Sequence, residues 1–301
     1  MDKVERSGLL MAMFGFAIFS FGDTIIKSID GAFPPIALGA LRFSFGSVFL
    51  GVLLALREGR AGFAIRHPAA QLLRATGISI ATVMIFVAFF AMPLADATAI
   101  LFVSPMITAT LAALFMGERA RLSLLGASIF AFSGVLLIVR PGFDHFNWVM
   151  LMPLGSAMGM SMLIIGNRMV AGHASSLAMQ FVLAAFASLL LVTATIVFQT
   201  FNIGPAIDGW PKWSVLAKVA VVACSSSFGH WLVYMGTTRA GASLVAPMTY
   251  VQLLVAMVMG LVVFGDFPDA ISLAGAAMIV AAGLWLWLSG RGRDVAETEA
   301  P

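Results

Sequence analysis

Ser123-Leu124-Leu125-Gly126-Ala127-Ser128-Ile129 and Ser272-Leu273-Ala274-Gly275-Ala276-Ala277-Met278 are two copies of one pattern, 149 residues apart. Each leads to a second glycine, in Gly134-Val135-Leu136 and in Gly283-Leu284-Trp285. Upstream, Met116-Gly117-Glu118 matches Phe264-Gly265-Asp266 at an offset of 148, so one inserted residue separates the two registers. More weakly, Leu41-Arg42-Phe43 lines up with Met179-Gln180-Phe181. Similarity at one long period marks an internal repeat.

Composition says which solvent the repeat is built for. Of 301 residues, 61% are hydrophobic and 10% charged, and the mean hydropathy is +1.02. A soluble domain carries roughly a quarter charged residues. The apolar surplus fits a chain solvated by lipid. A single cysteine, Cys224, excludes an internal disulfide framework and any multi-cysteine metal site. The net charge of +3 is spread thinly over loops and forms no nucleic-acid stripe.

Apolar runs near the length needed to cross hydrocarbon, about 20 residues, occur at 8–27, 34–56, 70–91, 95–116, 122–139, 147–167, 175–198, 213–237, 242–264 and 270–289. The first is not a cleaved leader: it holds Asp23 and Lys27 near its far end and lacks a small-residue cleavage site. Ten spans put both termini on one side. With the termini inside, 12 lysines and arginines face the cytoplasm and 4 the outside, with Arg42 inside a span. That bias places both termini in the cytoplasm.

The predicted fold is an all-α membrane protein of ten transmembrane helices, arranged as two inverted five-helix repeats. Five is odd, so the second copy runs upside down, with Glu118 facing the cytoplasm and Asp266 the outside. The units are residues 1–141 and 142–290, with 291–301 a disordered cytoplasmic tail. Inverted repeats are the signature of alternating-access carriers; a duplicated scaffold without transport remains the alternative.

Two five-span units, each with a small-acidic turn (Gly117-Glu118, Gly265-Asp266) and a Leu-x-Gly-Ala helix, resemble the EamA-type drug/metabolite transporters. Pro105-Met106 through Gly117-Glu118-Arg119 is similar to the family pattern, whereas the second copy has Gln252-Leu253 where Glu-Pro is usual. Within the superfamily the chain most resembles the YddG-like amino acid exporters. Asp23-Thr24-Ile25-Ile26-Lys27 with a later Arg42 also occurs in relatives resembling S-adenosylmethionine or riboflavin carriers. The resemblance implies a secondary transporter of the bacterial cytoplasmic (inner) membrane exporting amino acids or similar small metabolites.

A charge inside a span costs roughly 2.5–3.5 kcal/mol on insertion scales and needs a partner or a task. Asp23 and Arg42 fall at similar depth on consecutive spans, as a salt bridge or as a substrate-facing pair at the outer mouth. Arg42 suits a substrate carboxylate, because its planar fork pairs bidentately. Lys27, one turn further out, reads as an interface anchor. His230 and Tyr234 lie four apart on span 8, and Tyr250 and Gln252 begin span 9 at comparable depth. Together they would form an inner, half-polar cavity wall, or else ordinary interhelical hydrogen bonds. The repeat offset sets Phe86 opposite Tyr234 and Phe102 opposite Tyr250, so both should face the same cavity. Ser20 and Ser161 are weaker candidates. Pro105 and Pro247 interrupt their spans and would serve gating or simple kinks. The glycine pairs Gly126/Gly134 and Gly275/Gly283 read as close packing, helix on helix or across a dimer.

No phosphate loop, HExxH helix or nucleophile elbow occurs, so no ATP motor, cofactor, metal or enzyme activity is expected. The expected partners are a small-molecule substrate and the lipid bilayer, with the chain a monomer or homodimer. A membrane-embedded enzyme and a passive channel are the rival classes.

Overall fold

The computed structural model describes residues 3–29, 31–115, 122–139, 147–170, 172–207, 209–240 and 245–298. The Gly117-Glu118 turn, Arg119, Arg121, Arg140 and the boundary between 141 and 142 lie outside the described residues, as does the side chain of Pro247. Among those described, the structure is helical with no strand. In chain order the helices are α1 (Lys3–Lys27), α2 (Pro35–Glu58), α3 (Pro68–Ala91), α4 (Leu94–Leu101), α5 (Ser104–Phe115) and α6 (Leu122–Val139). Then come α7 (Met152–Val170), α8 (Ser176–Thr200), α9 (Trp213–Ala240), α10 (Tyr250–Met259) and α11 (Ala270–Thr298).

Local chemistry sets the starts. Pro35 and Pro68 occupy first turns, where a missing N–H costs nothing. Ser175 accepts a hydrogen bond from the Ala178 N–H at 3.0 Å, and Asp269 accepts one from Ser272 at 2.8 Å, each capping a helix. Helix α11 continues through 291–298, the stretch expected to be a disordered tail.

Among the described residues, six helical stretches are long and apolar enough to cross a bilayer: Lys3–Lys27, Pro35–Phe63, Pro68–Ala91, Trp148–Asn167, Ser176–Thr200 and Trp213–Gly236. The apolar helices Leu94–Thr108, Gly126–Val139, Tyr250–Phe264 and Ala270–Trp285 are shorter. Two of the expected spans are broken rather than continuous. The run 95–116 divides at Phe102 and Val103, just before Pro105, which has no N–H to give the Leu101 carbonyl and whose ring crowds it. The run 242–264 opens with the 3-10 turn Ala246–Thr249, which contains Pro247, and closes with a π turn at Gly260–Phe264.

Helices from before residue 141 pair with helices from after it. Helix α1 packs on α9, α3 on α7, α2 on α8, α6 on α11 and α4 on α10. Apolar helices gain no hydrophobic drive from meeting each other in lipid, so close backbone approach must hold them. Glycines supply it. Gly77 and Gly159 face each other across α3 and α7, so a Cβ on Gly77 would lie 2.6 Å from the Gly159 carbonyl oxygen. Gly134 and Gly275 do the same across α6 and α11, again at 2.6 Å. Gly8 lies against Gly236, and Gly15 against Gly229, between α1 and α9. The Gly134 and Gly275 pattern of the sequence repeat is thus a seam inside one chain, helix on helix. Outside, Phe14, Val48, Leu56, Leu189, Ile196 and Val262 are exposed, as a lipid-facing surface requires. The protein is a multi-pass membrane protein.

Candidate functional site

Arg42, in the first half of α2, turns inward and donates from Nη2 to Ser226 Oγ on α9 at 3.3 Å. Its guanidinium lies 5.3 Å from the Phe43 ring centroid and 5.9 Å from that of Phe86, distances at which the ring faces attract a cation. Phe86 itself is buried in an apolar cluster with Ile26, Leu38 and Ala256.

Asp23 and Arg42 feel each other's charge but form no direct ion pair. Asp23 accepts a hydrogen bond from Gln252 Nε2 at 2.9 Å instead. The geometry follows from the pairing of helices: α1 lies beside α10, which carries Gln252, whereas α2 lies beside α9, which carries Ser226. Each charge is therefore held by a neutral partner on a different helix.

Below Arg42 is a cavity of about 70 Å3, walled by α2, α3, α7, α8 and α9. Its polar lining is Arg42, Gln180, Ser226, Ser227 and His230. His230 Nδ1 lies 2.7 Å from the Ser226 carbonyl oxygen, so the proton on that nitrogen is donated there. The imidazole also packs on Phe19, with ring centroids 4.6 Å apart.

The other expected residues divide. Phe102 and Tyr250 do meet, edge to face at 5.5 Å, at the break between α4 and α5 and the start of α10. The hydroxyl of Tyr250 presses against Gly283 of α11. Tyr234 does not join them: it is 47% exposed. The strip of α9 that packs on α1 carries Gly229, Val233 and Gly236, and Tyr234 lies off it. Phe86 and Tyr234, paired by the repeat offset, thus differ in environment, one buried and one exposed. Ser161 donates to the Ser104 carbonyl at 3.0 Å, supporting the broken backbone beside Pro105. Ser20 is buried, and its hydroxyl has no partner among the described residues.

Lys27 does more than anchor an interface. Its ammonium donates to Asp266 Oδ2 and to the Met92 carbonyl, each at 3.0 Å, and lies 5.0 Å from the Phe264 ring centroid. One side chain thereby ties α1 to the α3–α4 turn and to the segment before α11. Arg74, near the start of α3, is 2% exposed inside the bundle. It donates to Asn167 Oδ1 at 2.6 Å, to Gln71 Oε1, and to the Met179 carbonyl at 3.3 Å, joining α3, α7 and α8.

Gln180, Ser226 and Ser227 were not singled out from the sequence as site residues. Signals existed for all three. Gln180 is the position that the weak repeat sets beside Arg42, and both line the cavity. Ser225-Ser226-Ser227 is a polar run within an apolar span, one turn before His230.

Known proteins agree with this architecture. A solved crystal structure shares the fold with a TM-score of 0.62, at 20% identity over 93% of this chain and 97% of its own length. The pseudopaline exporter of Pseudomonas aeruginosa is 24% identical, over 92% of this chain and 94% of its own. The S-adenosylmethionine uptake transporter of Rickettsia bellii is 25% identical over 94% of each chain. The riboflavin transporter of Vibrio cholerae is 25% identical over 77% of this chain and 73% of its own. These names cover export and uptake of different metabolites, and none supports amino acid export in particular, so the resemblance to YddG-like exporters narrows to the family level. Residues 6–140 match the model of the EamA-like transporter family, so the first part of the chain is similar to that family.

Proposed function

We propose that this protein is an alternating-access carrier that moves a small amphipathic metabolite, amino acids among the candidates, across the bacterial cytoplasmic membrane, in the outward direction. The observation that carries the reading is the convergence of Asp23, Arg42 and His230, from three helices, inside an otherwise apolar bundle beside a cavity. Ionisable side chains at that depth are costly and mark solute pathways.

The order of helix pairing supports two inverted five-span units, 1–141 and 142–290, with ten spans in all and cytoplasmic termini. The broken helices are the fourth span of each unit, and they meet at Phe102 and Tyr250. The pairs α1 with α9 and α3 with α7 exchange under swapping of the two units, and the other pairs map onto themselves, as a two-fold axis in the membrane requires. Broken helices meeting at mid-bundle are where carriers of this kind place their sites. Pro105 and Pro247 then belong to the hinges of these breaks. Energy coupling needs no ATP motif in this chain.

Reconstituted protein tests the reading. Asp23→Asn and Arg42→Ala are expected to lower solute flux in liposomes while leaving the protein inserted and monodisperse. Wild-type flux in both variants would return the pair to a packing role. Tyr250→Ala is expected to weaken solute binding more than Phe198→Ala, a change near the end of α8; equal isotherms would remove Tyr250 from the cavity.

Lys27, Asp266 and Met92 close the outer mouth in this reading. Because Asp266 is 43% exposed, the pair stabilises the closed state by only about 0.5–1 kcal/mol. Lys27→Asp and Asp266→Lys, made singly, are expected to raise labelling of an outer-facing cysteine placed behind the bridge in a Cys224→Ala background. The double exchange is expected to restore closure. A double variant labelled as fast as the singles would show that the bridge does not gate.

A further inference from the structure

Beyond the carrier reading, on which this inference rests, the cavity beside Arg42 says what the solute must bring. Its lining is rich in donors and holds no carboxylate. Arg42 spends one N–H on Ser226, and among the described residues no acid takes the rest of its fork. The side-chain amide of Gln180 makes no hydrogen bond among the described residues. Ser226 Oγ accepts from Arg42, which leaves its own hydroxyl proton for another acceptor. Ser227 differs, since it already donates to the Ala223 carbonyl at 2.9 Å. Asp23, the acid that would neutralise Arg42, is diverted to Gln252.

A cavity that offers the free donors of Arg42, Gln180 and Ser226, with no carboxylate in its lining, suits an anionic accepting group. An ionised carboxylate is such a group, with two oxygens and about four lone-pair sites. The cavity is small, with a volume of about 70 Å3. It offers room for a planar, two-oxygen head. A single guanidinium matches one negative charge, whereas a phosphate monoester brings nearly two.

We infer that this cavity is a carboxylate subsite: Arg42 takes the solute's carboxylate, Gln180 and Ser226 complete its donors, and the solute body lies toward Phe43, which lines the same cavity. The protein then selects carboxylate-bearing metabolites over neutral ones of similar shape.

The test compares solutes that differ only in that group. Proteoliposomes are offered L-phenylalanine against phenethylamine, S-adenosylmethionine against its decarboxylated form, phenyl phosphate, and riboflavin. Thermal protection of the detergent-solubilised protein is measured on the same panel. Wild-type protein is expected to carry, and be protected by, carboxylate members only. Arg42→Gln is expected to lose about tenfold or more in apparent affinity, as a charge-assisted fork does when removed. Arg42→Lys should recover part of it. Gln180→Leu is expected to raise the half-saturating concentration severalfold with little change in maximal rate, whereas loss of maximal rate alone would mark Gln180 as structural. Equal handling of decarboxylated solutes, preference for phenyl phosphate, or riboflavin flux indifferent to Arg42→Gln would each overturn the subsite. Carboxylate-specific, Arg42-dependent protection without any flux would keep the subsite and sink the carrier reading. Neither protection nor flux by any carboxylate would sink both.

Discussion

Gly77→Leu and Gly134→Leu are each expected to leave little folded protein in the membrane. The backbones of α3 and α7 approach so closely that a Cβ on Gly77 would stand 2.6 Å from a carbonyl oxygen and 2.9 Å from the Leu163 nitrogen. Gly134 meets the Gly275 carbonyl at 2.6 Å and Ile279 Cγ1 at 3.0 Å. Backbone atoms cannot rotate away as a side-chain tip can, so the helices must separate. Separation forfeits the van der Waals contact that holds helices together in lipid. Alanine should cost roughly 1–3 kcal/mol, in the usual range of overpacking, and leucine more. Gly46→Ala is the control: nothing lies within 4 Å of its added methyl, and it should melt at or slightly above wild type. Thermal unfolding followed by size-exclusion chromatography reads the series. Gly134→Leu melting like wild type would mean that α6 and α11 do not touch there.

Gln252→Leu is expected to abolish most transport although it leaves both charges in place. Gln252 is the only side chain shown bonding to Asp23 among the described residues. Without it the carboxylate is buried and unsatisfied, which costs more than a neutral group in the same position. Arg42 is the charge within reach, so the carboxylate would turn toward it and fill the guanidinium fork. A hydrogen bond to a charged group is worth about 1.5–3 kcal/mol, and occupation of the fork on that scale means roughly a ten- to hundredfold loss of apparent affinity. Adding Asp23→Asn to Gln252→Leu removes the intruding charge. The double variant should then recover to the level of Asp23→Asn alone. Flux in Gln252→Leu equal to wild type, or a double variant worse than the single, would show that Asp23 does not compete for Arg42.

These two effects mark the boundary between what could be read along the chain and what could not. The glycine pattern was visible as a repeat, and its meaning as close packing follows from period and composition. Its partner was not visible: a helix face that accepts another backbone accepts a second chain just as well, and only three-dimensional pairing joined Gly134 to Gly275 within one molecule. The breaks at Pro105 and in the segment holding Pro247 were likewise readable, because proline acts on its own neighbours in sequence. Tyr234 misled because spacing from His230 describes one helix, while exposure depends on which helices lie beside it.

The sequence by itself determined the class: an apolar, sparsely charged, internally repeated helical chain, with Asp23, Arg42 and His230 at depths where lipid forbids idle charge. Hydropathy and local propensity act through near neighbours, and near neighbours are written in order. Tertiary structure alone decided the partners: Asp23 with Gln252, Arg42 with Ser226 beside Gln180, and Lys27 with Asp266, which are 239 residues apart. A charge reaches whatever lies within a few ångströms, and in a bundle that pairs early helices with late ones those neighbours come from the far half of the chain.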